Sequence, residues 1–514
     1  MTAKKPGHQL GAAGRRLIPA NLKNFAQPSQ ALTQPMRGLA RVAGRQLAQV
    51  ALNRHRQRIY QKEQARETLS FALRLAETMF HYGADAADVD AAVVTVCATY
   101  GIQDVEVDIT YQSIIINYVS EVDDLAGSGS HVTEGTEKLA LNLVRVVRST
   151  SENYRALEKL YHLIRSIAAD DLTRTQAERQ LARINNAKKP YSPATLLAWN
   201  LVMAAAFTLG VGGSWRAAVT SIGIFALVNF TLVALGRLAL PSYFTMAIAS
   251  GVITTLAVTV SRTESWFFQQ GFIVSAPHLI AAGLMMFLPT FRLVSAVQDA
   301  LHGFPLTAAG KLVMTAVNFT GLIAGIAVAL TLISYFDYAS LDARHTVFNP
   351  PPLWLSMTGM AIGSAMSAAA WQGSLANIWL VVVLSFAGQG VYYSLAAVTG
   401  TEAGHLHLVA GAFTVGLGAS LIGYLLHTPA SIYYVPGMMF MLPGLTIFRS
   451  SYQVLMGRNG VADGLQGLVG AGLTVLLMAT GIVLGTYLWD AVTSKVGRRR
   501  SVEVPVDGGS PLGC

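Results

Sequence analysis

The sequence predicts a mainly α, polytopic membrane protein, with ten transmembrane helices arranged as two inverted five-helix repeats behind a small cytoplasmic α/β domain. Three observations predict this. First, the 514-residue chain is 52% hydrophobic and 13% charged, with mean hydropathy +0.44, whereas a soluble domain carries about 25% charged residues. Second, residues 1–190 hold 25 of the 37 Lys/Arg and 19 of the 28 Asp/Glu, while Ala194 to Leu488 holds eight basic and six acidic residues. Third, one pattern occurs twice. Gly283-Leu-Met-Met-Phe-Leu-Pro289 runs on to Leu301, Gly303, Ala308 and Gly310, and Gly437-Met-Met-Phe-Met-Leu-Pro443 runs on to Leu455, Gly457, Ala462 and Gly464; eight of 28 aligned positions are identical.

The front part divides at about residue 60. Residues 1–59 form a basic tail with eleven Lys/Arg and no Asp or Glu, read as disordered. It has no apolar run long enough for a signal peptide. An anionic leaflet would attract it, and Leu39–Ile59 has some character of a surface helix. The net charge of +9 comes with no nucleic-acid-binding motif, so no nucleic acid is expected as partner. Cys97 and Cys514 show no metal-type spacing and are read as reduced thiols.

Residues 60–190 read as a compact α/β domain. Thr68–Tyr82 has helical apolar spacing and stops at Gly83; Asp85 or Asp88 caps a second helix that ends at Gly101. Val105, Val107 and Ile109 alternate with polar residues as in a half-buried strand. Ser113–Val119 is its hairpin partner, and Leu141–Ser149 a third strand. Helices over Ser151–Ala169 and Thr173–Asn185 lead to the membrane. His81, Asp85, Asp88, Asp123, Asp124 and His131 are in no catalytic or metal spacing.

Hydrophobic segments of spanning length fall at about 194–211, 215–235, 242–260, 271–290, 311–333, 353–370, 376–397, 405–426, 430–448 and 464–488. The first repeat is 191–338, the second 339–490, and 491–514 is a cytoplasmic tail. Five helices per repeat invert one half against the other, the plan of many secondary transporters. Arg179, Arg183, Lys188, Lys189, Arg237, Arg292, Lys311 and Lys495 to Arg500 then fall on one side, putting both termini in the cytoplasm. Arg449 and Arg458 fall opposite, as the inverted counterparts of Arg292 and Lys311. Gly, Ser and Ala in the sixth and eighth segments suit close helix packing.

Each copy of the repeated pattern carries a proline that interrupts an apolar helix. Backbone groups freed this way must be buried in protein or line a wet cavity, so Pro289 and Pro443 point to the binding site. Ionisable groups in the spans are candidates by default. Asp299, in Ser295-Ala-Val-Gln298-Asp299-Ala-Leu301, follows the first break; a helix cap is the competing reading. Glu402, His405 and His407 cluster at the start of the eighth segment and read as an interfacial polar group, not a metal site, because a fourth ligand pattern is missing. His278 lies inside the fourth segment.

With these motifs in order, the chain resembles the bacterial threonine/serine exporter family over about residues 64–490. The resemblance rests on Phe80-His-Tyr-Gly83-Ala84, Asp88-Val89, Ala98-Thr-Tyr-Gly101, Val105-Glu-Val107 and Thr110. In the membrane part it rests on Pro289, Val297-Gln298-Asp299-Ala-Leu301, Pro436-Gly437 and Pro443-Gly444. Family members have Pro-Gly where this chain has Pro289-Thr290. The resemblance implies export of L-threonine and L-serine across the cytoplasmic membrane, driven by the proton motive force, with small amino acids, protons and lipid as partners. The residues alone reach only an inverted-repeat secondary transporter, and a homo-oligomer is left open. No cofactor is expected, and no P-loop indicates ATP drive.

The chemistry suits a small zwitterion. Amides at the broken helix ends, near Gly437 and Gly444, can hold a carboxylate, while free carbonyls or an ionised Asp hold the ammonium. Ser295, Gln298, Asn318 and Gln453 are amide or hydroxyl groups near the motifs, with Ser295, Asn318 and Gln453 as readers of the substrate hydroxyl. Asp299, whose counterpart in the second repeat is the neutral Gln453, is the expected carrier of the proton or the partner of the ammonium. Two other classes stand beside this: an enzyme, for instance a hydrolase, in 60–190 with the helices as anchor, and a sensor in which that domain gates the membrane part.

Overall fold

The computed structural model describes residues 62–121, 138–148, 150–151, 153–238, 240–267, 276–288, 290–335, 351–400, 404–456 and 460–502. The chain forms two compact units, Met1–Arg66 and Glu67–Cys514. The second holds every element below except the first turn of α1. The basic head, the Asp123–His131 stretch, Pro289, the 337–350 connection, Glu402 and Arg458 lie outside the described residues.

α1 (62–81) buries Leu69, Phe71, Leu75 and Met79. It ends where Gly83 adopts φ +93°, which lets Ala84 N–H reach back to the Met79 carbonyl at 3.0 Å, a glycine-terminated C-cap. α2 (Ala86–Thr99) ends the same way at Gly101, with Ile102 N–H on the Cys97 carbonyl at 2.9 Å. β1 (Val105–Thr110), β2 (Ser113–Glu121) and β3 (Lys138–Val146) form one antiparallel sheet in that order. The third strand begins and ends three residues before the expected Leu141–Ser149. The reason is that β2 runs on to Glu121, whose partner is Lys138, while Val147 turns away to donate to the Gln112 carbonyl at 2.7 Å. α3 (Tyr154–Ala168) turns Leu157, Leu160, Leu163 and Ile167 inward, and α4 (Arg174–Asn185) starts with a Thr173/Gln176 capping box.

The remaining elements are helices: α5 (Pro193–Val211), α6 (Trp215–Gly236), α7 (Ser242–Phe267), α8 (Ala276–Phe287), α9 (Thr290–Leu301), α10 (Pro305–Tyr335), α11 (Leu353–Ala370), α12 (Ile378–Thr399), α13 (Gly404–Leu426), α14 (Ser431–Gly437), α15 (Gly444–Met456) and α16 (Val461–Val502). Eight are long and apolar enough to cross a membrane. Two further pairs qualify only if each bent pair is one span: α8 with α9, bent by 43°, and α14 with α15, bent by 50°. This is a multi-pass membrane protein. The fourth and ninth segments, in which the repeated prolines were expected to interrupt the helix, are two pieces each. At the second break Leu442 is extended (φ −65°, ψ 127°), as the residue before a proline prefers, and Gly444 opens α15.

The two halves share a pattern of neighbours. α7 packs on α10 as α13 packs on α16, α5 on α6 as α11 on α12, and α5 on α8 as α11 on α14. Small residues bring the long pairs together. A Cβ on Gly325 of α10 would sit 1.9 Å from the Ala247 carbonyl of α7, and one on Gly416 of α13 would sit 2.3 Å from the Ile482 carbonyl of α16.

Candidate functional site at the broken helices

The two broken pairs cross. Gly444, first residue of α15, lies against α8, where a Cβ would be 2.5 Å from the Ala281 carbonyl. Tyr434 of α14 donates its hydroxyl proton to Gln298 Oε1 of α9 at 2.8 Å. Each half of one pair thus touches the opposite half of the other. α8 is buried along its whole length to Met285, while α9 is amphipathic and turns Ser295, Gln298 and Asp299 inward.

The α/β domain closes this crossing from one side. Asp299, fully buried, accepts the backbone N–H of Ala86, first residue of α2, at 3.0 Å on Oδ1. Its Oδ2 lies 2.5 Å from Lys311 Nζ. Lys311 also donates to Ser295 Oγ at 2.6 Å, and its ammonium lies over the Phe80 ring at 5.5 Å. Ser295 in turn donates to Asp85 Oδ1. Two carboxylates, one ammonium and one hydroxyl therefore form a buried chain: Asp85, Ser295, Lys311, Asp299. Asp85 is the N-cap of α2, but its side chain makes no cap bond; the cap is supplied by Asp299 from the membrane part. A carboxylate at a helix N-terminus also meets the positive end of the helix dipole.

Asp85 does not stay in the usual carboxylate range. Burial pushes its pKa up to about 7, with Asp299 and Asp88 adding to the rise and Lys311 and the Ser295 hydroxyl opposing it. Asp88 is also raised by burial, against the hydrogen bond from the Tyr161 hydroxyl and the charge of His302. The hairpin tip is tied down nearby. Thr307 Oγ1 of α10 donates to the Ile109 carbonyl at 2.6 Å and accepts Tyr111 N–H at 3.1 Å. Tyr111 holds φ +45°, a conformation that costs a non-glycine residue about 1–3 kcal/mol. A second contact of the α/β domain lies after α11, where Tyr154 N–H and Arg155 N–H donate to the carbonyls of Trp371 and Gln372. Two cavities flank the buried chain. One, of about 500 Å³, is lined by Asp85, Asp88, Tyr161, Gln298, Tyr434 and Asp490 among others. The other, of about 260 Å³, has Arg148, Arg292, Ser295 and Lys311 in its wall.

A model of the ThrE family, described as "Putative threonine/serine exporter", matches residues 70–333 and 340–489. The match takes in both the α/β domain and the bundle. The chain belongs to the threonine/serine exporter family. It is 28% identical over 447 residues to the "Probable threonine/serine exporter" of Mycobacterium tuberculosis, covering 84% of this chain and 78% of that protein. It is 27% identical over 435 residues to the "Threonine/serine exporter" of Corynebacterium glutamicum, covering 82% of each. No solved structure matches the chain. The resemblance drawn from the motifs therefore holds, and the exporter family makes this chain a transporter and not an enzyme.

Within this exporter the expected site residues fall into three sets. Ser295, Gln298 and Asp299 come together with the α/β domain, and Gly437, Pro443 and Gly444 lie at the second break. Asn318, buried in α10, and Gln453, half-buried in α15, have no described bond to that network. Pro289 and Glu402 are outside the described residues; His407, next to Glu402 in the sequence cluster, bonds Thr399 instead. Sequence reasoning gave Lys311 only as a loop charge and Asp85 only as a cap, and it did not single out Tyr161, Tyr434 or Asp490. Asp299 was expected to be a lone acid facing neutral Gln453; its described neighbours are Lys311 and Ala86, with Asp85 beyond.

Proposed function

We propose that this protein exports L-threonine and L-serine from the cytoplasm, driven by the proton motive force, across the bacterial cytoplasmic membrane. Family membership is the observation that carries the substrate class. The buried chain from Asp85 to Asp299 carries the coupling. A carboxyl poised at about pH 7, hydrogen-bonded through one hydroxyl to a Lys–Asp ion pair, can take up and release a proton in the physiological range. Asp85 is the acid that titrates in this network, and Asp299 ties Lys311 to the first turn of α2. Proton arrival neutralises Asp85, weakens its attraction to Lys311, and leaves Lys311 to Asp299.

The same reading takes each bent pair as one span. The chain then crosses ten times, both termini are cytoplasmic, and the α/β domain is cytoplasmic. Its support is that the parts of the bundle touching the α/β domain, around Lys311, Gln372, Tyr424, Ser431 and Trp489, all fall at helix ends which a ten-span count assigns to one side. The paired neighbours α7/α10 and α13/α16 support two inverted five-helix repeats. Counterflow of labelled L-threonine and L-serine in proteoliposomes tests the substrate assignment. Accumulation of both, with no counterflow of a basic or acidic amino acid, is expected; no counterflow of either overturns it.

A further inference from the structure

We propose that the 500 Å³ cavity between the α/β domain and the ends of α13, α14 and α16 is the cytoplasmic receiving site of the transporter, with Asp490 as the ligand of the substrate's ammonium group and Asp88 facing it. This rests on the export reading above and adds a second station to it, one layer outside the Asp85 network.

Four observations converge. Asp490 lies at the end of the apolar stretch of α16, opens into the cavity, and has no ion pair or side-chain hydrogen bond among the described residues. An unpaired carboxylate that opens into a water-filled cavity at the end of a membrane span is a candidate ligand for a cationic group. Second, Asp88 and His302 are near enough for their charges to act on Asp490, so with Asp85 three carboxylates line one cavity. Among the described residues no three His, Cys, Asp or Glu side chains converge as a metal site would require. Third, Trp489 and Tyr424 meet edge to face beside Asp490, with ring centroids 5.9 Å apart, and aromatic faces attract an ammonium. Fourth, Arg165 of α3 is exposed at the same cavity and can meet the carboxylate of the same small molecule. The inner wall is formed by Asp85, Gln298 and Tyr434, so a bound amino acid lies next to the carboxyl that takes the proton.

The α/β domain is then half of a binding site. It contributes Asp88, Tyr161 and Arg165, and the bundle contributes Asp490 and the aromatic pair. The required ligand is a small amino acid with a free ammonium; blocking that group removes the contact that matters.

The test is protection from alkylation. Thr493→Cys, in the cavity wall, is made in the full-length protein with Cys514→Ser; Cys97 is buried and its thiol is pushed up to about 12 by burial, so it stays unreactive. Saturating L-threonine should slow alkylation of this cysteine at least about fivefold, and N-acetyl-L-threonine should not. Asp490→Asn in the same chain should abolish the protection. If the reconstituted Thr493→Cys protein exchanges labelled threonine yet shows no protection, or if Asp490→Asn is still protected, the receiving site is wrong and export stands. If the wild-type protein shows no exchange at all, the export reading falls and the receiving site falls with it.

Discussion

Lys311 is the single residue whose loss the interface should feel most. Its ammonium lies 2.5 Å from Asp299 and 2.6 Å from Ser295 Oγ. Lys311→Met keeps the stem volume and removes the charge. Asp299 is fully buried and keeps only the Ala86 N–H among its described donors. Removing one partner of a buried ion pair costs about 3–5 kcal/mol, because the other charge is left without compensation. Protonation of Asp85 limits the loss, so the lower end is expected near pH 6 and the upper end near pH 8. The local probe is the Tyr111 amide, whose bond to Thr307 exists only while the hairpin is docked on α10. Its hydrogen exchange should accelerate by about three to four orders of magnitude at pH 8, at about 1.4 kcal/mol per factor of ten. Adding Asp299→Asn, which keeps an acceptor for Ala86 N–H and removes the charge, should restore most of the protection. An unchanged Tyr111 rate in Lys311→Met, or simple additivity in the double variant, would refute the buried-pair account.

Three further outcomes follow from the same geometry. Because the docked state raises Asp85 from 3.8 to about 7, it binds a proton more tightly than the unfolded chain does; that contribution is full below about pH 4 and is lost as pH rises through 7, so a plot of thermal midpoint against pH should fall across this window and flatten in Asp85→Asn. Gly310→Val should weaken docking by about 1–3 kcal/mol, since a Cβ there meets the Tyr111 ring at 2.6 Å, and Tyr111→Ala should recover part of the exchange protection at Ala86. Cysteines placed at Arg216 and His345 should react with an impermeant thiol reagent from outside intact cells while one at Arg237 should not; labelling at Arg237 would contradict ten spans.

Much of the fold is legible because it is periodic or punctuated. The spans stand out as apolar runs bounded by Ser192, Gly212 and Ser214. Gly83 and Gly101 mark helix ends because only a residue tolerant of positive φ closes those turns. The breaks at the repeated motif were readable because a proline cannot continue the hydrogen-bond ladder. The site was only half legible. Ser295, Gln298 and Asp299 belong to one short segment and were found together. Their partners Asp85 and Lys311 come from α2 and α10, and no local signal ties a cap position 214 residues upstream to the acid that replaces it. Asp490 was missed because the apolar run was taken to end at Leu488, whereas α16 continues as one helix past it. The end of β3 was misplaced for a similar reason: its register is set by the length of β2, which its own residues do not encode.

The central claim is that a proton on the Asp85–Asp299 network drives amino-acid export. The direct measurement is proton flux and labelled L-threonine flux recorded together in proteoliposomes, for the wild type and for Asp299→Asn. The account predicts coupled fluxes in the wild type, and in Asp299→Asn loss of gradient-driven export with folding and threonine exchange retained. Normal gradient-driven export by Asp299→Asn would contradict it and leave Asp299 as the cap of α2.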